Sequence, residues 1–169
     1  MENSIIKNSL RNIPDFPKPG IQFKDITPIL QNPQLFNEVI EIFYNKYKND
    51  KIDVIVGIES RGFIFGAPLA IKLGTSFVLA RKPGKLPAKK LSIEYDLEYG
   101  TDSLEIHEDA INLNDNVLII DDLLATGGTA NACGKLVEKL SRKQPQYGFL
   151  IDLKISKKSF ANSFSVIKF

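Results

Sequence analysis

The chain reads as an α/β protein with a mostly parallel central sheet flanked by helices. Three observations carry that prediction. Short apolar runs at residues 52–56, 77–80, 117–120 and 149–153 alternate with segments of helical periodicity. The run Val117-Leu118-Ile119-Ile120 is apolar at every position, as a strand covered on both faces must be. Glycine-containing turns then carry the runs at 52–56 and 117–120 directly into helical patterns.

Taken in order, residues 4–11 read as a short helix. The segment Pro14-Asp15-Phe16-Pro17-Lys18-Pro19-Gly20 follows, and its three prolines forbid a helix and stiffen it into an extended shape. Asn32 and Pro33 stand in the order of a cap and a first turn. The helix they open has an apolar stripe of Leu35, Phe36, Val39, Ile40, Phe43 and Tyr47. A strand at 52–56, a turn at 57–62 and a helix at 63–73 come next, then a strand at 77–80. Residues 86–109 are polar, tyrosine-rich and weakly periodic, which is the profile of a long mobile loop over a site. A solvated hairpin is the plainer alternative. The strand at 117–120 leads into a helix from about 128 to 141, and 149–153 is the last strand recognised.

With 169 residues the chain has the size of one domain with a full core, and it shows no repeat, low-complexity tract or linker. No apolar run is long enough to span a bilayer, and Met1-Glu2-Asn3-Ser4 does not open a signal peptide. One cysteine, Cys133, allows no internal disulfide, which fits a cytoplasmic protein; its helical spacing with Leu136, Val137 and Leu140 marks it as core. His107 is the sole histidine, so no His-rich metal site is available. The net charge of +2 is too small to argue for a nucleic-acid partner, and nothing indicates a membrane partner. The charge is uneven. Residues 81–90 carry Arg81, Lys82, Lys85, Lys89 and Lys90 without an acid, whereas 91–110 carry seven acids without Lys or Arg.

The most specific chemistry lies in Asp121-Asp122-Leu123-Leu124-Ala125-Thr126-Gly127-Gly128-Thr129. Two carboxylates fall where a buried strand emerges, at the sheet edge where α/β proteins bind ligands. Residues Ala125, Thr126, Gly127, Gly128 and Thr129 form a loop of low bulk that opens a helix, so its amides can approach an anion, aided by the helix dipole. A sugar phosphate suits this layout, hydroxyls on the carboxylates and phosphate in the loop. The same letters also serve as a plain strand-to-helix connection. They form neither a P-loop, lacking Lys-Ser or Lys-Thr after the glycines, nor a dinucleotide fingerprint.

This motif resembles the phosphoribosyl-diphosphate (PRPP) motif of type I phosphoribosyltransferases in the adenine phosphoribosyltransferase family. The resemblance implies the type I fold with a small N-terminal base-binding hood over residues 1–30 and a mobile catalytic loop over 86–109. It further implies transfer of the 5-phosphoribosyl group from PRPP to adenine, giving AMP and pyrophosphate in purine salvage. Mg²⁺ would be carried mainly by PRPP without a dedicated protein ligand, PRPP would bind before adenine, and the enzyme would be a homodimer.

Other segments agree with the resemblance. Val56-Gly57-Ile58-Glu59-Ser60-Arg61-Gly62-Phe63 is a second strand–turn–helix junction, where amides and the Arg61 guanidinium suit a diphosphate; a capped helix with a solvated Arg is the plain alternative. It is similar to the family's pyrophosphate loop, with Glu59 where Asp is frequent. Arg81-Lys82-Pro83-Gly84-Lys85 turns several cations one way, and no aromatic residue lies among them to stack bases. By resemblance Lys82 and Lys85, with Arg81, contact pyrophosphate. Tyr95-Asp96-Leu97-Glu98-Tyr99-Gly100 is similar to the family's catalytic loop, in which Glu98 exchanges a proton with the purine and Tyr99 helps on the pyrophosphate side. The run from Pro14 to Pro28 resembles the adenine-binding hood, which implies base contacts at Gln22, Phe23 and Lys24, Lys24 standing where Arg is frequent.

The resemblance extends from about Ile13 to Leu153. Beyond it, Asp152-Leu153-Lys154-Ile155-Ser156-Lys157-Lys158 replaces a Glu-Leu pair and a glycine-rich segment. The alternatives to an adenine enzyme are a phosphoribosyltransferase for another purine, a non-catalytic PRPP-sensing regulator of the same fold, and a salvage enzyme that has lost activity with its altered tail.

Overall fold

The computed structural model describes residues 3–96, 100–156 and 158–169. Its centre is a five-stranded sheet in the order β4-β3-β7-β8-β9, with every neighbouring pair parallel. The strands are β3 (Val54–Ile58), β4 (Ser76–Ala80), β7 (Val117–Leu124), β8 (Gln146–Asp152) and β9 (Ser163–Lys168). Parallel neighbours need crossovers, supplied here by α4 (Arg61–Leu73) between β3 and β4 and by α5 (Gly128–Ser141) between β7 and β8.

Successive residues on the central strands serve opposite cores. Ile55, Leu118, Ile120 and Leu150 pack with Phe43 and Tyr47 of α3 (Pro33–Tyr47) and with Phe65 and Leu69 of α4. Val54, Val56, Val117, Ile119 and Phe149 pack on the other face with Cys133, Leu136 and Val137 of α5. This double coverage is the reason the strand sequences lack alternation. Helix α3 begins as its sequence requires, the Asn32 side chain accepting hydrogen bonds from the amides of Gln34 and Leu35. Cys133 is fully buried, as its spacing predicts.

Several expectations are corrected. Helix α1 stops at Asn8 instead of running to residue 11, because Arg11–Pro14 forms β1, which pairs antiparallel with β2 (Gln22–Asp25). The proline-rich segment is therefore the bend of a hairpin and not an extended rod: Asp15 and Gly20 adopt positive φ, and the Gly20 amide donates to Asp15 Oδ1 at 2.7 Å. A short helix α2 (Thr27–Leu30) had no counterpart in the sequence reading. Strand β3 starts two residues later than residue 52 and takes in Gly57 and Ile58 in place of a turn beginning at 57; α4 starts at Arg61 and not at 63. Strand β7 runs on through Asp121 and Asp122 to Leu124, since β8 continues to pair with it. Strand β9 was not anticipated.

The stretch 86–109 is largely a regular hairpin of β5 (Lys90–Asp96) and β6 (Thr101–His107), not an irregular loop. One face of it is apolar: Tyr95, Leu104 and Ile106 are buried in the core beneath α5. Among the described residues no helix is long and apolar enough to cross a membrane.

Helix α4 lies unusually close to β7. A Cβ on Gly62 would sit 2.5 Å from the Ile120 carbonyl oxygen and 3.3 Å from Asp121 Oδ1, so a side chain cannot be accommodated without displacing the helix start. Gly62→Ala is therefore expected to cost about 1–3 kcal/mol of stability through overpacking, read as a lowered urea midpoint. An unchanged midpoint would contradict this close approach.

Candidate active site at the ends of β3 and β7

The β3 ladder reaches β7 only as far as Ile120, opposite Gly57. Asp121 and Asp122 therefore lie just past the point where β7 loses one neighbour, while β8 still holds its other side. Asp122 is 3 % exposed, and its amide donates to Asp121 Oδ1 at 2.9 Å. Burial raises the pKa of Asp121 well above the ordinary carboxyl value, and the neighbouring Asp122 charge raises it further. Burial also raises Asp122, opposed chiefly by Arg61. The Arg61 guanidinium supplies that opposition directly, its Nε lying 2.8 Å from Asp122 Oδ2.

Beyond the carboxylates, residues Asp121 and Leu123 to Ala130 line a cavity of about 90 Å³. Gly127 holds φ near 81° ahead of α5, and the first-turn amides of that helix have no intrahelical acceptors. Small anions fit such a cradle. The C-terminal segment closes its back. Ser156 Oγ donates to the Thr126 carbonyl at 3.1 Å, and a Cβ at Gly127 would meet Ser156 Oγ at 2.7 Å and the Phe160 ring at 2.8 Å. Phe160 is anchored edge-on against Tyr147, ring centroids 4.9 Å apart.

The basic loop is fastened at its root. Glu59 accepts from the Lys82 amide at 2.9 Å and from Arg81 Nε at 3.1 Å. Burial pushes the Glu59 carboxyl up, but these two donors outweigh it and leave the pKa below its ordinary value. Arg81 also exchanges both backbone hydrogen bonds with Glu105 of β6, and the Glu105 carboxylate accepts from the Gly84 amide at 3.2 Å. The Arg81 side chain thus reaches Glu59 through Nε and the Lys85 carbonyl through Nη1 at 3.4 Å. Lys85 is exposed at the loop's surface. Lys82 Nζ is hydrogen-bonded to Asp102 of β6 and to Tyr95 Oη at 3.1 Å, and Tyr95 Oη accepts from Thr129 Oγ1 at 3.2 Å.

The hairpin β1–β2 brings a third group. Phe23 packs edge-on to Phe16, centroids 5.1 Å apart, and the Arg61 guanidinium carbon lies 5.4 Å from the Phe23 ring centroid. Lys24 Nζ donates to Asn12 Oδ1 at 2.6 Å and stands 4.2 Å from the Phe169 ring centroid, while Gln22 is exposed.

The fold thus gathers Asp121, Asp122, the 125–129 loop, Arg61 and Phe23 through direct contacts, and links Lys82 to Thr129 through Tyr95. Glu98 and Tyr99 lie outside the described residues. Sequence reading missed Glu59 as the anchor of the basic loop, Glu105 beneath its turn, the Tyr95–Asp102 pair and Ser156. Glu59 and Tyr95 stood inside recognised motifs, so the motifs gave a signal; Asp102, Glu105 and Ser156 gave none, because their partners are remote in sequence.

Comparison with known proteins agrees with this site. Residues 25–153 match the model of the phosphoribosyl transferase domain family. The adenine phosphoribosyltransferase of Acaryochloris marina is 57 % identical over 148 residues, covering 88 % of this chain and 87 % of that protein. The crystal structure of adenine phosphoribosyltransferase from Thermoanaerobacter pseudethanolicus superposes with a TM-score of 0.92 at 51 % identity, over 98 % of this chain and 99 % of its own. The Saccharomyces cerevisiae adenine phosphoribosyltransferase, complexed with an imino-altritol bisphosphate and adenine, gives 0.91 at 43 % identity over 97 % of each chain. A parallel sheet with a carboxylate pair, an anion loop and a basic loop at one edge, matched over nearly its whole length by such relatives, identifies the chain as a member of the adenine phosphoribosyltransferase family.

Proposed function

We propose that the chain transfers the 5-phosphoribosyl group of PRPP to adenine, releasing AMP and pyrophosphate in purine salvage. The observation that carries this reading is the contact chain Asp122–Arg61–Phe23. It makes a hydroxyl-binding carboxylate pair, an oxyanion-binding guanidinium and an aromatic face contiguous.

Asp121 and Asp122 accept the ribose hydroxyls, and Ala125 to Thr129 hold the 5-phosphate on the α5 amides. Arg61 is poised between the carboxylates and the hood. Together with Lys82 and Lys85 it takes the diphosphate and stabilises the charge that collects there as the glycosidic bond breaks. Phe23 offers a ring face to adenine, with Gln22 and Lys24 beside it. Adenine attacks an oxocarbenium-like centre, and Glu98 handles the purine proton.

Mg²⁺ is a hard cation that requires oxygen donors. Asp121 and Asp122 are the hard donors of this site, and Asp122 is already shared with Arg61. That donor set suits a cation carried on the diphosphate and water beside the pair. Bound there, Mg²⁺ would neutralise part of the diphosphate charge. The enzyme works as a cytoplasmic homodimer in this reading. The absence of any possible internal disulfide and the apolar surface left by Ile71 of α4, 84 % exposed, and Leu79 of the edge strand β4 support it.

Incubating the protein with PRPP, Mg²⁺ and adenine should give AMP and pyrophosphate in equal amounts, and hypoxanthine or guanine should serve far less well. Absence of AMP at any substrate concentration would sink the proposal. Glu98→Leu should cut kcat by at least about a hundredfold, the low end expected of a lost acid–base group, while changing the KM for PRPP little. An unchanged kcat would remove the proton-handling role.

A further inference from the structure

The ammonium assigned above to the diphosphate already has an anionic partner within the fold. Lys82 Nζ, on the basic loop, is paired with Asp102 Oδ2 on β6. Tyr95 Oη completes the cluster from β5: it receives a hydrogen bond from Lys82 Nζ at 3.1 Å and stands 3.3 Å from Asp102 Oδ2. Asp102 is fixed in turn by the Ser103 amide, which donates to Oδ1 at 2.8 Å. Through the 3.2 Å bond from Thr129 Oγ1 to Tyr95 Oη, the cluster also touches the start of α5, where the anion cradle lies.

Both members of the pair are charged. Burial lowers the Lys82 pKa, yet hydrogen bonds to Asp102 and Tyr95 overcome it and leave it raised. Burial raises Asp102, yet the Lys82 and Ser103 hydrogen bonds leave it lowered. The pair is only partly screened, with side-chain exposures of 35 % and 28 %. It is therefore weak enough to be broken by a multiply charged ligand and strong enough to re-form.

We propose that Asp102 is an internal competitor for Lys82, a positioning residue that holds the ammonium on the β5–β6 hairpin and recaptures it when pyrophosphate departs. The proposal rests on the assignment of Lys82 to the diphosphate and deepens it. A diphosphate must displace the Asp102 carboxylate to gain Lys82. Part of its binding free energy is spent on that exchange, and the same exchange speeds its release as product. A site whose cations were all free would bind pyrophosphate more tightly and turn over more slowly. Tyr95 keeps the ammonium beside the cradle in either arrangement, because its hydroxyl contacts Lys82, Asp102 and Thr129 together.

The test is a double-mutant cycle on Mg²⁺-pyrophosphate affinity, measured by calorimetry and by product inhibition, for the unmodified protein, Asp102→Asn, Lys82→Ala and the double variant. Asp102→Asn should tighten pyrophosphate about two- to fivefold, the scale of a partly exposed ion pair. It should lower the KM for PRPP without moving that for adenine, and in the Lys82→Ala background the tightening should vanish. Weaker or unchanged pyrophosphate binding in Asp102→Asn overturns the proposal. So does equal tightening in both backgrounds, since Asp102 would then act by general repulsion. If Lys82→Ala alone leaves pyrophosphate affinity unaltered, the assignment of Lys82 to the diphosphate fails and the proposal fails with it; if Lys82→Ala weakens binding and Asp102→Asn does not tighten it, the proposal alone fails.

Discussion

Two adjacent carboxylates at the buried end of β7 set the terms for everything around them. Neighbouring acids held out of water raise each other's cost of ionisation, and a fold retains them only where a cation or a ligand offsets that cost. Here, among the described residues, that offset comes from the Arg61 guanidinium, 2.8 Å from Asp122. Removing that partner would leave a buried charge uncompensated, a change that typically costs several kcal/mol. The site is thus an electrostatically costly spot held in place by Arg61, which fits the polyhydroxyl, metal-bearing ligand proposed for it.

That requirement reaches into the fold. Arg61 can meet Asp122 because α4 starts against the β7 backbone, and it can do so because residue 62 is glycine. The same helix start carries the guanidinium toward Phe23 of the β1–β2 hairpin. On the other flank, β5 and β6 bury Tyr95, Leu104 and Ile106 beneath α5 and thereby bring Tyr95 Oη to Thr129 and Lys82. The C-terminal segment finishes the enclosure, with Phe160 packed on Tyr147 and Ser156 bonded to Thr126. Its glycine-poor sequence, the main departure from the family pattern, backs the loop at Thr126 and Gly127.

The central architecture was legible because its signals are local. Val117–Ile120 is apolar throughout, Asn32-Pro33 is a cap followed by a first turn, and the glycines after β3 and β7 sit at helix starts. The recognised motifs likewise placed Asp121, Asp122 and Arg61 at strand–helix junctions. What was missed depends on distant partners. Tyr95 alternates with exposed Glu94 and Asp96, so its strand reads as polar until α5 is laid over it. Strand β9 is interrupted by Ser163 and Ser165, so it lacks the continuous apolar run of β3 and β7 and is recognised only where it pairs with β8. The prolines near residue 17 announced a non-helical segment, but the pairing of Arg11–Pro14 with Gln22–Asp25 that makes it a hairpin is a tertiary fact.

Because the carboxylate pair is the constraint, its protonation state offers the most direct test. A raised Asp121 pKa means that the group keeps its proton to higher pH than an ordinary carboxyl does. In the proposed reading an ionised carboxylate accepts the ribose hydroxyls more strongly than the neutral acid does, so PRPP binding favours release of that proton. Calorimetry of Mg²⁺–PRPP binding in buffers of different ionisation enthalpy measures the protons exchanged. At mildly acidic pH the unmodified protein should release more protons per PRPP bound than Asp121→Asn. Equal proton release by the two proteins would contradict the claim that Asp121, its proton held on by desolvation and by the Asp122 charge, lies at the heart of this site.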